Sequence, residues 1–356
     1  MNRSTPLAWG READVGTSMH DPKRSDESRT RRREAPTQGE ICGDAERGEE
    51  SKDKERRGGL RTGSTLQMKS ASANSNIYAA MAAPPTAFEN HLERWIFRHR
   101  IESVVSVEFR PKDSDLVLER LLFLSDVDVP EGSPEYHQMD DDSRASMLST
   151  GVVAGENEQQ VFVLTCAHSL KQVYNLHHPI DVADLADLYA PWIMCDHREL
   201  MFLARQDNER VSIEANISRL DIPNDLLLIE VNKANFTAYC NRPHPPVIFS
   251  SEFPSRFATV VMLSWPLRRH RTAVRGNISH SQRNIDDLAE ENPEGLATVL
   301  SEVDITSDKG SSGAPLFDGL GKGIGLLYGG DGKFSYVIPT HVIRQCLLNW
   351  GWQYHG

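Results

Sequence analysis

No run of 18 apolar residues occurs in this chain, so no transmembrane helix is expected. The N-terminus has no apolar signal-peptide core, so secretion is not expected either. Apolar side chains are scarce at that end. The first 74 residues hold only six of the types Ile, Leu, Val, Phe, Trp and Tyr (Leu7, Trp9, Val15, Ile41, Leu60, Leu66). That is too little surface to offset chain entropy, and residues 1–88 read as a disordered leader. The leader is rich in Arg and Ser, but its 13 acids argue against an organelle transit peptide. Its runs Arg31-Arg32-Arg33-Glu34 and Lys52–Arg57 carry interleaved acids and read as a solvated tail. Residues 75–356 are short of positive charge, with 24 Lys+Arg against 38 Asp+Glu, which excludes a strongly basic nucleic-acid binder as the default reading. Cysteines are few and odd in number: Cys42, Cys166, Cys195, Cys240 and Cys346, with no repeated spacing. Reduced thiols in an intracellular, most simply cytoplasmic, chain fit better than a disulfide framework.

What is present begins at Glu89. The pattern ENHLERWIFRHR places Leu92, Trp95 and Ile96 on one face of a short helix. Short β-branched and apolar runs then alternate with polar turns. They include Val104–Phe109, Val117–Leu124, Val152–Ala154, Val161–Leu164, Leu200–Leu203, Val211–Ile213 and Leu226–Val231. The second half adds Thr259–Leu263, Thr272–Val274, Ala297–Leu300, Gly323–Leu327 and Phe334–Ile338. Strand-length pieces at this spacing predict an all-β sandwich or barrel rather than a parallel sheet. Residues 340–350 carry Val342, Ile343, Cys346, Leu347 and Trp350 at helical spacing, predicting a C-terminal helix. Two stretches interrupt the pattern: the acidic, strand-poor Asp126–Ser149, and His177–Asp196, which reads as a short helix or lid.

Three local features carry chemistry. Leu164-Thr165-Cys166-Ala167-His168 ends a strand in small residues and a His. Ile222-Pro223-Asn224-Asp225 puts an Asp directly before the apolar run Leu226–Ile229. Lys309-Gly310-Ser311-Ser312-Gly313-Ala314-Pro315 brackets a Ser with glycines. Singly, a surface His, a turn Asp and a loop Ser are the ordinary readings. Together they supply what hydroxyl-nucleophile hydrolysis needs: a nucleophile, an imidazole base, a carboxylate to fix its tautomer, and glycines that let backbone amides converge on an oxyanion.

These segments resemble the chymotrypsin-like serine peptidase superfamily, and within it the disulfide-free HtrA (Deg) type. The likeness runs from about Ser103 to Leu348. Thr165-Cys166-Ala167-His168 resembles that family's Thr-Ala-Ala-His motif. Asp225-Leu226-Leu227-Leu228-Ile229 resembles its Asp-Leu-Ala-Leu-Leu strand, and Gly310-Ser311-Ser312-Gly313-Ala314-Pro315-Leu316 its Gly-Asn-Ser-Gly-Gly-Pro-Leu. The resemblance implies an all-β fold of two six-stranded antiparallel β-barrels with a C-terminal helix. The peptidase domain would span 89–350, with barrel 1 at about 100–245, barrel 2 at about 246–340 and the helix at 340–350. It implies a serine endopeptidase with Ser312 as nucleophile, His168 as base, Asp225 as orienting carboxylate, and the amides of Gly310 and Ser312 as oxyanion hole. It implies polypeptide substrates, no cofactor, no nucleic-acid or membrane partner, and leaves a homo-oligomer open.

The sequence departs from the family in places. Ser311 stands where secreted relatives have an Asp, and no cleavage sequence of their activating kind precedes the first strand, so zymogen activation is not implied. Ala314 replaces a Gly, and fewer than 20 residues follow Pro339, too few for the PDZ domain that HtrA-type relatives carry. These departures keep a second reading open, a catalytically inactive trypsin-like fold that acts as a protein-binding module. Thr306 takes the place where trypsin-like enzymes put a carboxylate for basic residues. With Leu327, Tyr328 and Gly329 as a pocket wall, an apolar P1 residue is expected. Cys195-Asp196-His197 contains metal-ligand types, but no second pair at suitable spacing accompanies it in the sequence, so no metal is expected. Arg268–Arg271 reads as a solvated hairpin loop.

Overall fold

The computed structural model describes residues 89–125, 127–195, 212–240, 242–252, 254–267, 271–285, 288 and 292–352. The expected leader, the run Leu200–Leu203 and most of the Arg268–Arg271 loop lie outside them. Helix α1 spans Glu89–Arg100. The first sheet then uses β1 (Val104–Pro111), β2 (Met147–Glu156), β3 (Gln160–Cys166), β4 (Tyr189–Met194), β5 (Ile213–Glu214), β6 (Asn216–Asp221) and β7 (Leu226–Asn232). Its order is β5-β4-β1-β2-β3-β7-β6, and the pairings between these strands are antiparallel. The two edge strands β5 and β6 are successive pieces of one run of chain, separated only by Ala215, whose amide donates to the Pro191 carbonyl at 2.9 Å. One stretch of chain thus pairs with β4 and then with β7, and the sheet curls into barrel 1, a half-barrel of seven strands where a six-stranded barrel is expected.

Barrel 2 is closed, in the order β10-β13-β12-β11-β8-β9. Its strands are β8 (Thr259–Ser264), β9 (Thr272–Arg283), β10 (Leu300–Val303), β11 (Pro315–Phe317), β12 (Gly323–Gly330) and β13 (Ser335–Pro339). Helix α2 (Ser114–Leu124) and helix α3 (Pro134–Arg144) fill the insert after β1. Helix α4 (Val182–Leu188) precedes β4, α5 (Lys233–Tyr239) follows β7, and α6 (Thr340–Asn349) closes the domain.

Alternation along the strands assigns side chains to different cores. On β3, Val161 and Val163 point into barrel 1, while Phe162 and Leu164 face a second cluster. On β7, Leu227, Ile229 and Val231 go inward and Leu226 and Leu228 outward. Both faces are buried, so these strands read as continuous apolar runs rather than as an alternating pattern. The second cluster joins the barrels. It contains Val261, Leu263, Phe317, Leu326 and Ile338 from barrel 2 and Ile343, Cys346 and Leu347 from α6.

Three local expectations are corrected. Val117–Leu124 is part of helix α2, not a strand. Asp113 caps the helix by accepting the Asp115 amide at 2.9 Å, and Val117, Leu118 and Leu121 bury one helical face. Glu119 and Arg120 break the strand period there. The stretch His177–Asp196 contains α4, capped by Asp181, but it continues into strand β4 beside β1. In the second half the strand expected at Ala297–Leu300 starts only at Leu300.

Candidate active site

Each of the three reactive side chains sits where an ordered element stops. His168 follows β3 directly, in a 3-10 segment at Ala167–Val173. Asp225 closes the turn between β6 and β7, its amide bonded to the Ile222 carbonyl at 2.9 Å. Its φ is +55°, a left-handed conformation that Asp tolerates better than most residues. Residues Cys166 and Leu226 are register partners of β3 and β7, so the pairing of these strands sets His168 beside Asp225. Ser312 comes from barrel 2, in the turn that leads into β11.

The structure brings all three together. His168 Nδ1 lies 2.7 Å from Asp225 Oδ2, and His168 Nε2 lies 2.9 Å from Ser312 Oγ. The His168 amide also donates to Asp225 Oδ1 at 2.6 Å. A carboxylate only accepts, so the proton sits on Nδ1 and the Nε2 lone pair faces the Ser312 hydroxyl. Asp225 is 2% exposed and holds two donors from one residue, which fixes both the backbone and the ring of His168.

The Ser312 turn is shaped by two glycines in left-handed conformation, Gly310 at φ +88° and Gly313 at φ +81°. A Cβ on Gly313 would collide with the Thr150 carbonyl oxygen, so only glycine fits. Neighbouring amides are spoken for: Ser311 donates to Asp308, Gly313 to Leu327 and Ala314 to Ser311. Among the described residues no acceptor takes the amides of Gly310 and Ser312. The carbonyls of the same two residues are bound from barrel 1. The Thr150 hydroxyl donates to the Gly310 carbonyl at 2.8 Å, and the Thr150 amide and Ser149 hydroxyl both donate to the Ser312 carbonyl at 2.8 Å. Thr150 Oγ1 also accepts from the Trp265 amide at 2.9 Å.

Behind the turn a run of hydroxyls continues. Ser149 Oγ is 2.8 Å from Thr165 Oγ1, which donates to the Thr150 carbonyl, and Ser169 Oγ reaches Ser149 Oγ at 3.1 Å. The resemblance alone does not single out these residues as supports. Their signal was the pair Ser149-Thr150, polar residues in the middle of an otherwise apolar strand, which must find partners when buried.

Two other groups crowd the site. The Tyr328 ring stands edge-on to His168, with centroids 5.0 Å apart, and its carbonyl lies 3.4 Å from Ser312 Oγ. Burial, followed by the Asp225 charge, pushes the Tyr328 hydroxyl above its ordinary range. Cys166 is fully buried and its thiol contacts the Leu327 carbonyl at 3.1 Å. Burial first, then Asp225, raises that thiol well above its ordinary value, so it stays protonated.

The residues expected to line a specificity pocket differ in their surroundings. Thr306 is exposed, Gly329 opens onto free space, and Leu327 packs its side chain into the interior of barrel 2. Tyr328 alone of the four lies against the reactive His.

The family model of the trypsin-like peptidase domain matches residues 149–326, half of the chain. No curated protein matches the sequence. Among solved structures, the active form of the Rv3671c protease from M. tuberculosis is similar at 18% identity. That match covers 77% of this chain and 90% of the other, with a TM-score of 0.46. The structure of Deg5 is 17% identical over 75% of this chain and 99% of its own, with a TM-score of 0.46. A serine endoprotease from Yersinia pestis is 14% identical over 75% and 67%, with a TM-score of 0.43.

Proposed function

The chain belongs to the trypsin-like peptidase domain family and has its chymotrypsin-like fold, and on that premise we propose that it is a serine endopeptidase acting through an acyl-enzyme. The observation that supports this most is the unbroken line from Asp225 through both nitrogens of His168 to Ser312 Oγ, at 2.7 and 2.9 Å. In the first half-reaction Ser312 Oγ attacks the scissile carbonyl carbon while its proton passes to His168 Nε2. The carbonyl oxygen takes the negative charge and faces the amides of Gly310 and Ser312. The imidazolium, held by Asp225, then gives its proton to the leaving amine, and the acyl group remains on Ser312. Water repeats the sequence to release the acid, with His168 again as base. Polypeptides are the substrate class. The absence of a carboxylate at Thr306 favours an apolar P1 residue.

A fluorophosphonate probe tests this on the full chain. It is expected to modify Ser312 stoichiometrically, with labelling lost in Ser312→Ala and in His168→Ala. A folded wild-type chain that takes no label would sink the reading and leave a protein-binding module built on the same fold.

A further inference from the structure

A second convergence of reactive side chains lies in barrel 1, on residues that play no part in the triad. Cys195, Cys240 and His244 each offer one ligand atom, and the three atoms lie within 4.8 Å of one another. They arrive from separate segments. Cys195 follows β4, Cys240 ends α5, and His244 lies in the connection that leads on toward barrel 2. Both thiols are buried, at 5% and 4% exposure, and the cluster is framed closely. The Tyr239 hydroxyl donates to the Cys195 carbonyl at 2.9 Å, the Cys240 amide to the Phe236 carbonyl at 2.9 Å, and the Phe236 ring lies 4.4 Å from the His244 ring.

The imidazole is oriented as a metal ligand would be. His244 Nδ1 lies 2.9 Å from the Glu102 carbonyl oxygen. A carbonyl accepts only, so Nδ1 carries the proton and Nε2 is the ring nitrogen that can act as a ligand. Donation of the second ring N–H to a backbone carbonyl is the usual support of a zinc-bound His. Zinc bonds of about 2.3 Å to sulfur and about 2.0 Å to nitrogen require donors about 3.5–3.8 Å apart, a contraction within reach of small side-chain rotations.

We propose that Cys195, Cys240 and His244 form a structural zinc site that ties the end of β4, the end of α5 and the connection to barrel 2 to the start of β1. Two thiolates and one imidazole are the soft, mixed donor set that selects Zn²⁺, and one position remains for a fourth donor. On binding, the two S–H protons leave to solvent and the thiolate charges are neutralised by the metal. Among the described residues, the other cluster of comparable closeness is Cys166, His168 and Asp225, which belongs to the candidate active site.

The test is elemental analysis of the full chain, purified without chelator after growth with zinc. About one zinc per chain is expected, falling below about 0.2 in Cys195→Ser and in Cys240→Ser. Cys346→Ser is expected to keep its zinc. Cobalt offered to the metal-stripped wild type should give thiolate charge-transfer absorption and the strong visible bands of a tetrahedral site. Because both readouts are made on the wild type, they stand even where a variant fails to fold. A folded wild type that holds no zinc and gives no cobalt spectrum overturns the proposal, and so does a Cys195–Cys240 disulfide found by mass spectrometry of the fresh protein.

Discussion

The two barrels divide the reactive groups by the kind of backbone that carries them. Barrel 1 presents His168 and Asp225 at the ends of two paired, doubly buried strands, β3 and β7, so their separation is set by a hydrogen-bonded ladder. Barrel 2 presents Ser312 on an irregular turn that depends on two left-handed glycines. A ladder fixes position through many weak bonds that no single residue controls. A turn of this kind fixes position through a few residues whose replacement is felt at once. Barrel 1 also supports the turn of barrel 2, because Ser149 and Thr150 on β2 hold the carbonyls of Ser312 and Gly310.

Substitutions can sharpen or break that division. The largest effect is expected from Asp225→Asn, which keeps the shape but presents the wrong donor to Nδ1. It should lower kcat about 10⁴-fold with little change in KM. Steady-state kinetics on a peptide substrate checks it, and a loss below tenfold would mean that the strand ladder alone orients His168. Next comes Gly313→Ala. The added methyl meets the Thr150 carbonyl in a backbone conformation that disfavours side chains. It should cost about 3 kcal/mol in urea unfolding and abolish labelling of Ser312. Gly329→Ala, where a Cβ meets nothing within 4 Å, should change stability by less than about 0.5 kcal/mol.

Thr150→Val tests the cross-barrel support. It strands the Gly310 carbonyl and the Trp265 amide, at a cost of about 2 kcal/mol, and should slow acylation about tenfold. Unchanged acylation would show that the glycines alone shape the turn. The smallest effect concerns Cys346, whose thiol lies 3.2 Å from Asp221 Oδ2 and is pushed up to about 12 by burial and then by that carboxylate. The folded chain holds this proton more tightly than the unfolded one, which releases it near 9. The contribution to stability is therefore whole below pH 9 and is lost as pH rises from 9 toward 12. Iodoacetamide at pH 8 should leave Cys346 unmodified until the chain unfolds, as peptide mapping would read.

The runs Val161–Leu164 and Leu226–Val231 were legible as strands because β-branched and apolar residues fill both faces. The apolar content of Val117–Leu124 suits either element, and the Asp113 cap and the break at Glu119-Arg120 decide for helix. Strand β4 was hidden because it follows α4 without a turn signal, and its partner β1 lies some 80 residues earlier. The surroundings of Thr306 and Leu327 do not follow from their place relative to Ser312. One is exposed and the other belongs to the barrel 2 core, a distinction that spacing does not carry.

By itself the sequence determined the order His168, Asp225, Ser312, the strand on which each depends, and the glycines without which the Ser312 turn could not form. These are local matters, settled by side-chain period and by steric limits on φ. Only the tertiary structure decided that Ser149 and Thr150 hold the Ser312 turn, that Leu327 faces a core, and that Cys195 meets Cys240 and His244 beside the carbonyl of Glu102. Those neighbours are separated by about 45 to 160 residues of chain, and their meeting depends on how strands pair and barrels pack, which no local pattern encodes.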